Sequence, residues 1–167
     1  MAIKNFSQKN KFSGSRAQAM IEFAIALPVL LVLLVGMMEV GRMILMYALV
    51  TNASKDAVRF ASAVGRGDDT YFKYNNCLGI KKAAQQSAYI VTLSSVSISY
   101  KDASGNSAGV CDLTTVGDDP DITVDSKYTV TVTVKADYKP VVKLIPFGTK
   151  TFTSTSTRTI LGIYDLP

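Results

Sequence analysis

The chain has 167 residues, with 18 Lys and Arg against 13 Asp and Glu, a formal charge of +5. That length allows one modest domain plus a membrane segment. Histidine and tryptophan are both absent. Without histidine the commonest general base and the commonest zinc ligand are gone, which weighs against enzymatic chemistry.

The first 17 residues carry Lys4, Lys9, Lys11 and Arg16 and no acid, so the rest of the chain holds 14 basic against 13 acidic residues. The charge excess belongs to this leader and is not a basic surface spread over a domain. It argues for no nucleic-acid partner. By the positive-inside rule the leader stays cytoplasmic, and whatever follows the apolar run is exported.

The run itself is "FAIALPVLLVLLVGMM", Phe23 to Met38, 16 residues without a charge. As a helix it rises about 24 Å against a hydrocarbon core of about 30 Å, so its ends must reach into the interfaces. Glu22 stands at its N-terminal border and Glu39 and Arg42 at its far end. An ionised carboxylate in hydrocarbon is costly. Glu22 therefore either lies at headgroup level or meets a positive partner. Glu39 and Arg42, three residues apart, share one helix side and can neutralise each other as an intrahelical pair. Pro28 predicts a kink near the cytoplasmic end. A secretory signal peptide and a plain signal anchor are the competing readings. The run is long for the former, and no Ala-x-Ala cleavage pattern follows it.

Helical periodicity continues past the run. Ala53, Ala57, Phe60, Ala61 and Val64 fall on one face, and Asn52, Lys55, Asp56, Arg59 and Ser62 on the other, until Gly65 supplies a stop. One helix is expected from about 17 to 64. Its first half is apolar nearly all round and its second half amphipathic. This divides the chain into a leader (1–17), a long helix (18–64) and an exported domain (65–167).

In the exported part, "GRGDDTYFKYNNCLG" reads as a loop. Residues 80–93 read as a second helix, with Lys81 and Lys82 on its exposed face. Alternation predicts strands in "SSVSISYKD", with Val96, Ile98 and Tyr100 on one face. In "KYTVTVTVKADY", Val130, Val132, Val134, Ala136 and Tyr138 face one way. A third strand is expected in "KTFTSTSTRTILGIY", after a connection marked by Pro140 and Pro146. One-sided alternation implies an antiparallel sheet with one solvated face, covered on the other by the amphipathic part of the first helix.

Cys77 and Cys111 match no zinc or redox spacing. On the exported side they read as one disulfide, tying the loop before the second helix to the loop after the first strand; in a cytosolic domain they would be free thiols. Two other features carry little. Arg66-Gly67-Asp68 is a short adhesion-type tripeptide of the sort that arises by chance. Asp118, Asp119, Asp121 and Asp125 crowd one loop, but their spacing fits no EF-hand, so a solvated turn is expected rather than a metal site.

The stretch "RAQAMIEFAIALPVLLVLLVGMMEVGRMILMYALVTNASKDAVRFAS", from Arg16 to about Ser62, resembles the N-terminal region of the TadE family, pseudopilins of the tight-adherence branch of type IV filament systems. The resemblance rests on a small residue, four further residues, Glu-Phe, an apolar run with an early Leu-Pro, then an acidic residue with Gly-Arg and a Thr-Asn-Ala continuation. It implies an α+β, pilin-like fold: a long N-terminal transmembrane and amphipathic helix packed on a small antiparallel β-sheet, with a second short helix. It also implies cleavage by a prepilin peptidase between Ala17 and Gln18, which makes Glu22 the fifth residue of the mature chain, followed by Phe23. The family more often has Gly before the cut. Gly14 would make Glu22 the eighth residue, which does not fit.

Cleavage would give Gln18 a free amino group, with an unperturbed pKa of about 7.7–8.0. In a stack of subunits that cation can meet the Glu22 of a neighbour and fix the axial register. The implied partners are other pilin subunits, the prepilin peptidase, an inner-membrane assembly platform and, before assembly, membrane lipid. The implied location is the bacterial inner membrane and then an extracellular pilus. Principal pilins of this type are shorter than this chain, which favours a minor subunit. No catalytic residue, cofactor or metal is expected. The alternative reading is a single-pass, membrane-anchored binding protein that does not polymerise; an anchored enzyme is the third.

Overall fold

The computed structural model describes residues 13–65, 72–111, 128–141 and 148–160, with side chains of the first helix from residue 17. Helix α1 runs Ser13–Ser62 and α2 Cys77–Ser87; strands β1 (Leu93–Lys101), β2 (Ser107–Val110), β3 (Thr129–Tyr138) and β4 (Lys150–Thr159) follow. The fold is α+β, a long apolar N-terminal helix with a second short helix and a four-stranded antiparallel sheet of order β2-β1-β3-β4. By contacts the chain divides at Val40/Gly41 into two units.

The first unit is the N-terminal part of α1. Helix continues through Pro28. Its large side chains from Met20 to Leu34 are exposed, Phe23 at 65% and Leu33 at 66%. Apolar surface on this scale is not left in water by a stable protein; it belongs in lipid or against other helices.

The second unit holds the core. Val130, Val132, Val134, Ala136 and Tyr138 of β3 are buried, as are Ile98 and Tyr100 of β1, while their sequence neighbours face outward. Val50, Ala53, Ala57, Val58 and Ala61 of α1 and Ile80 and Ala84 of α2 belong to the same cluster. The small residues Ala53, Ala57 and Ala61 are fully buried in this cluster. Fully burying a single Ile or Val is worth roughly 1.5–3 kcal/mol, so this cluster sets the position of α1 in the unit.

The outer face of the sheet is hydroxyl-rich. Thr131 pairs with Thr157 and Thr133 with Thr155, the hydroxyls in each pair 2.9 Å apart. That face needs no cover.

Several expected boundaries move. The second helix starts at Cys77, not residue 80, because the Asn76 side chain caps it by accepting from Gly79 N at 2.6 Å. It ends at Ser87, so Leu93 is the first residue of β1 and not helical. Ser62, expected on the solvent side of α1, is 9% exposed, and Val64, expected inside, is 56% exposed. The helix has ended at Ser62, so its periodicity no longer places residue 64. Strand β2 was not anticipated. It pairs with β1 beyond a turn in which Asp102 Oδ1 accepts from Ser104 N and Asn106 N, with Gly105 at φ 85°. Arg66-Gly67-Asp68, the Asp118–Asp125 loop and Pro146 lie outside the described residues.

Candidate assembly and membrane segment

α1 places the candidate residues in order. Ala17, Gln18, Glu22 and Phe23 are all exposed near its start. One helical turn separates Gln18 from Glu22, and Gln18 Nε2 donates to Glu22 Oε1 at 3.2 Å. Glu22 therefore has a partner within its own chain for one carboxylate oxygen. From Phe23 to Met38 the helix carries no charge. Among the described residues it is the one helix long and apolar enough to cross a membrane.

At the far end Glu39 is 4% exposed. Arg42, three positions on, has its guanidinium carbon 5.8 Å from the centroid of the Tyr138 ring, a cation–π geometry. Tyr138 is set edge-on to Phe152, and Phe152 in turn edge-on to Tyr47, with centroids 6.4 and 6.3 Å apart. Alternation in β3 put Tyr138 on the core face but did not reveal that it would stand against Arg42, because that depends on how helix and sheet meet.

Cys77, at the first turn of α2, and Cys111, just after β2, are brought to disulfide distance, with Cα atoms 5.8 Å apart. Neither is placed as the sequence suggested: Cys77 is helical, and Cys111 follows the second strand of a hairpin. The buried Tyr100 hydroxyl lies 3.5 Å from Cys111 Sγ and donates to the Tyr74 carbonyl. Partial burial pushes the Tyr74 phenol above its ordinary value. Among the described residues, no group of three or more His, Cys, Asp or Glu is arranged to hold a metal ion.

Residues 17–59 match the family described as TadE-like protein. This segment is TadE-like. The match begins at Ala17 and ends at Arg59, inside α1, so the sheet lies beyond it. No curated protein and no solved structure matches the chain. The TadE-like match covers the helix that is long and apolar enough to cross a membrane.

Proposed function

We propose that the protein is a pilin-type structural subunit of a Tad pilus, a minor one by its length, held in the inner membrane by the apolar part of α1 and assembled through it. The observation that supports this most is a TadE-like helix whose exposed, uncharged surface from Phe23 to Met38 is bordered on its N-terminal side by a single acid, Glu22. Lipid covers that surface before assembly, and neighbouring helices cover it afterwards. A prepilin peptidase cuts between Ala17 and Gln18. The new Gln18 amino group meets a neighbour's Glu22. Glu39 and Arg42 neutralise each other at the outer end, and the domain with Cys77 and Cys111 is extracytoplasmic and disulfide-bonded.

The competing reading is a membrane-anchored binding protein that stays single. The hydroxyl-rich outer face of the sheet is compatible with either.

The test is the N-terminus of the protein recovered from membranes and from sheared filaments of cells with an active prepilin peptidase. The subunit reading expects chains starting at Gln18 in the sheared fraction. Chains found only in membranes, with the leader intact, would favour the anchored binding protein.

A further inference from the structure

The turn after α2 presents two residues that a solvent-facing turn rarely carries. Val91 N donates to the Ala88 carbonyl at 2.8 Å, which closes a tight turn with Tyr89 and Ile90 in its middle. Gly, Asn, Asp, Ser and Pro dominate such positions. Here Tyr89 is 79% and Ile90 61% exposed, while Ala88 is buried. We propose that this turn rests on the outer surface of the membrane that α1 crosses, with Tyr89 and Ile90 entering the headgroup layer of an anionic bilayer. The inference rests on the membrane reading above and adds to it a second contact, separate from the apolar run.

The position of the turn within the second unit names its occupant. Ile90 and Val91 line one groove with Arg42, Leu45, Tyr138 and Lys139. The turn therefore lies at the end of the unit where α1 enters. That helix is continuous from the apolar run to this point. Counting about 20 helical residues from Phe23 carries the outer headgroup level to about residue 42. A groove that contains both Arg42 and Ile90 starts at that level, whereas Ser62 at the end of α1 lies about 30 Å farther along the helix.

The composition of this end suits a lipid surface. Tyr138, the last residue of β3, pairs with Lys150, the first of β4, so the chain leaves the sheet and returns to it here. Lys139 and Lys150 are exposed, and Val141 is 71% exposed. The joining segment 142–147, outside the described residues, reads "VKLIPF" in the sequence, with one cation and no acid. Asp137 does not oppose these lysines from the same side. It lies on the outer face of the sheet, where it accepts from Thr151 Oγ1 at 2.7 Å. An exposed aromatic ring, exposed branched aliphatic groups and lysines form an interfacial set: the apolar groups leave water while the ammonium groups stay with phosphate.

The chain contains no tryptophan, so a single introduced one reports its own site. The full chain is reconstituted in vesicles of equal phosphatidylcholine and phosphatidylglycerol, brominated high on the acyl chains. Tyr89→Trp reads the turn and Leu31→Trp the apolar run. Val64→Trp, at a position 56% exposed beyond the end of α1, reads the other end of the unit. The expected result is strong bromine quenching for Leu31→Trp, quenching with a blue shift for Tyr89→Trp, and none for Val64→Trp. Adding Ile90→Asp to Tyr89→Trp should remove most of its quenching. Adding Lys139→Gln should lower the ratio of quenched to unquenched protein about fivefold, the effect of one cation at an anionic surface. In pure phosphatidylcholine Lys139→Gln should change nothing. Quenching of Leu31→Trp without quenching of Tyr89→Trp overturns the surface contact alone. Absence of both overturns the membrane reading and the contact together. Equal quenching at positions 89 and 64 overturns the contact, because it would not be specific to the turn. A blue shift at position 89 without bromine quenching overturns it in favour of a second copy covering the turn.

Discussion

Ser54, fully buried on α1, places its hydroxyl 2.9 Å from that of Ser154 and 2.9 Å from that of Ser156, while also donating to the Thr51 carbonyl at 3.0 Å. A small polar residue on an otherwise apolar helix face is thereby matched to two hydroxyls on β4. Ser54→Ala removes the helix half of this cluster and leaves two strand hydroxyls to find other partners, at a cost of about 1–2 kcal/mol. Ser54→Leu must also fit extra volume into a closed site and should cost more, about 2–3 kcal/mol. Denaturant unfolding of the full chain in detergent, followed by tyrosine fluorescence, measures both. Equal stability of Ser54→Leu and wild type would mean that α1 is not seated on β4 as described.

Gly79 gives a prediction of unusual sign. It lies within the first turn of α2, where alanine normally stabilises a helix by about 1 kcal/mol over glycine. Here a Cβ would stand 2.8 Å from Asn76 Oδ1, 2.9 Å from its Cγ and 3.0 Å from Phe60 Cε1. Asn76 would have to give up its capping geometry or Phe60 its place. Gly79→Ala is expected to destabilise by about 1–2 kcal/mol, comparable with losing the cap. Asn76→Ala should cost a similar amount, and the double variant less than the sum. Thermal melts of the three variants test this, and a raised Tm for Gly79→Ala would refute it.

The hairpin turn between β1 and β2 should respond to acid. Asp102 is held below the ordinary aspartate range first by the Asn106 backbone N–H and further by the Asn106 side chain and the Ser104 and Gly105 amides. Because its folded pKa lies below the unfolded one, its contribution is complete above the ordinary value and is lost as pH falls through the lowered folded pKa. The group is fully exposed, so the effect is local fraying of the turn and not global unfolding. Amide shifts of Ser104 and Asn106 should titrate together below the ordinary aspartate range. Asp102→Ala should abolish that titration and weaken protection at the start of β2.

Cys77 and Cys111 should leave the cell joined. Closing a segment of sequence separation 34 is worth about 3–4 kcal/mol in the chain-entropy account. Intact protein should be two hydrogens lighter than its reduced form and resist alkylation until reduced. The double change Cys77→Ala with Cys111→Ala should lower the Tm by about 6–15 °C. Two freely alkylated thiols in native protein would count against the bond and against an extracytoplasmic domain.

The parts legible in the sequence were those with long, clean periods. Alternation in 127–138 named the buried face of β3 residue by residue, and the apolar run with its basic leader announced α1. The period of 3.6 also put Ala53, Ala57 and Ala61 inward. What was missed is governed by side chain to backbone bonds. The start of α2 depends on Asn76 capping Gly79. The β1–β2 hairpin depends on Asp102 collecting two amides over Gly105, a turn signature that "DASGN" carried but that gave a β2 too short to show alternation. The stacking of Arg42 on Tyr138 was not legible, because it joins a helix and a strand far apart in sequence.

Glu22 is where the subunit reading is most exposed to failure. In the single chain one of its oxygens accepts from the Gln18 side-chain amide at 3.2 Å, and that bond would also form with a glutamine at 22. Glu22→Gln should therefore insert and fold as wild type does, since the neutral side chain still has a helical neighbour to bond. What it cannot do is hold the cationic amino group of a neighbour's Gln18. Loss of one partly buried charge pair is worth about 2–4 kcal/mol per contact, repeated along a filament. Sheared filament yield and crosslinked membrane dimer should both fall at least about tenfold at equal protein level. Glu39→Gln is the control: Glu39 is buried, so its loss should lower stability or insertion while leaving the axial register of surviving filaments unchanged. Gln18→Ala is the second control, because it removes the amide but keeps an amino group after cleavage. If assembly survives Gln18→Ala and fails in Glu22→Gln, the intersubunit amino–carboxylate pair is the working contact. If both assemble as wild type does, Glu22 is an interfacial bystander, and a membrane-anchored protein that never polymerises becomes the better reading.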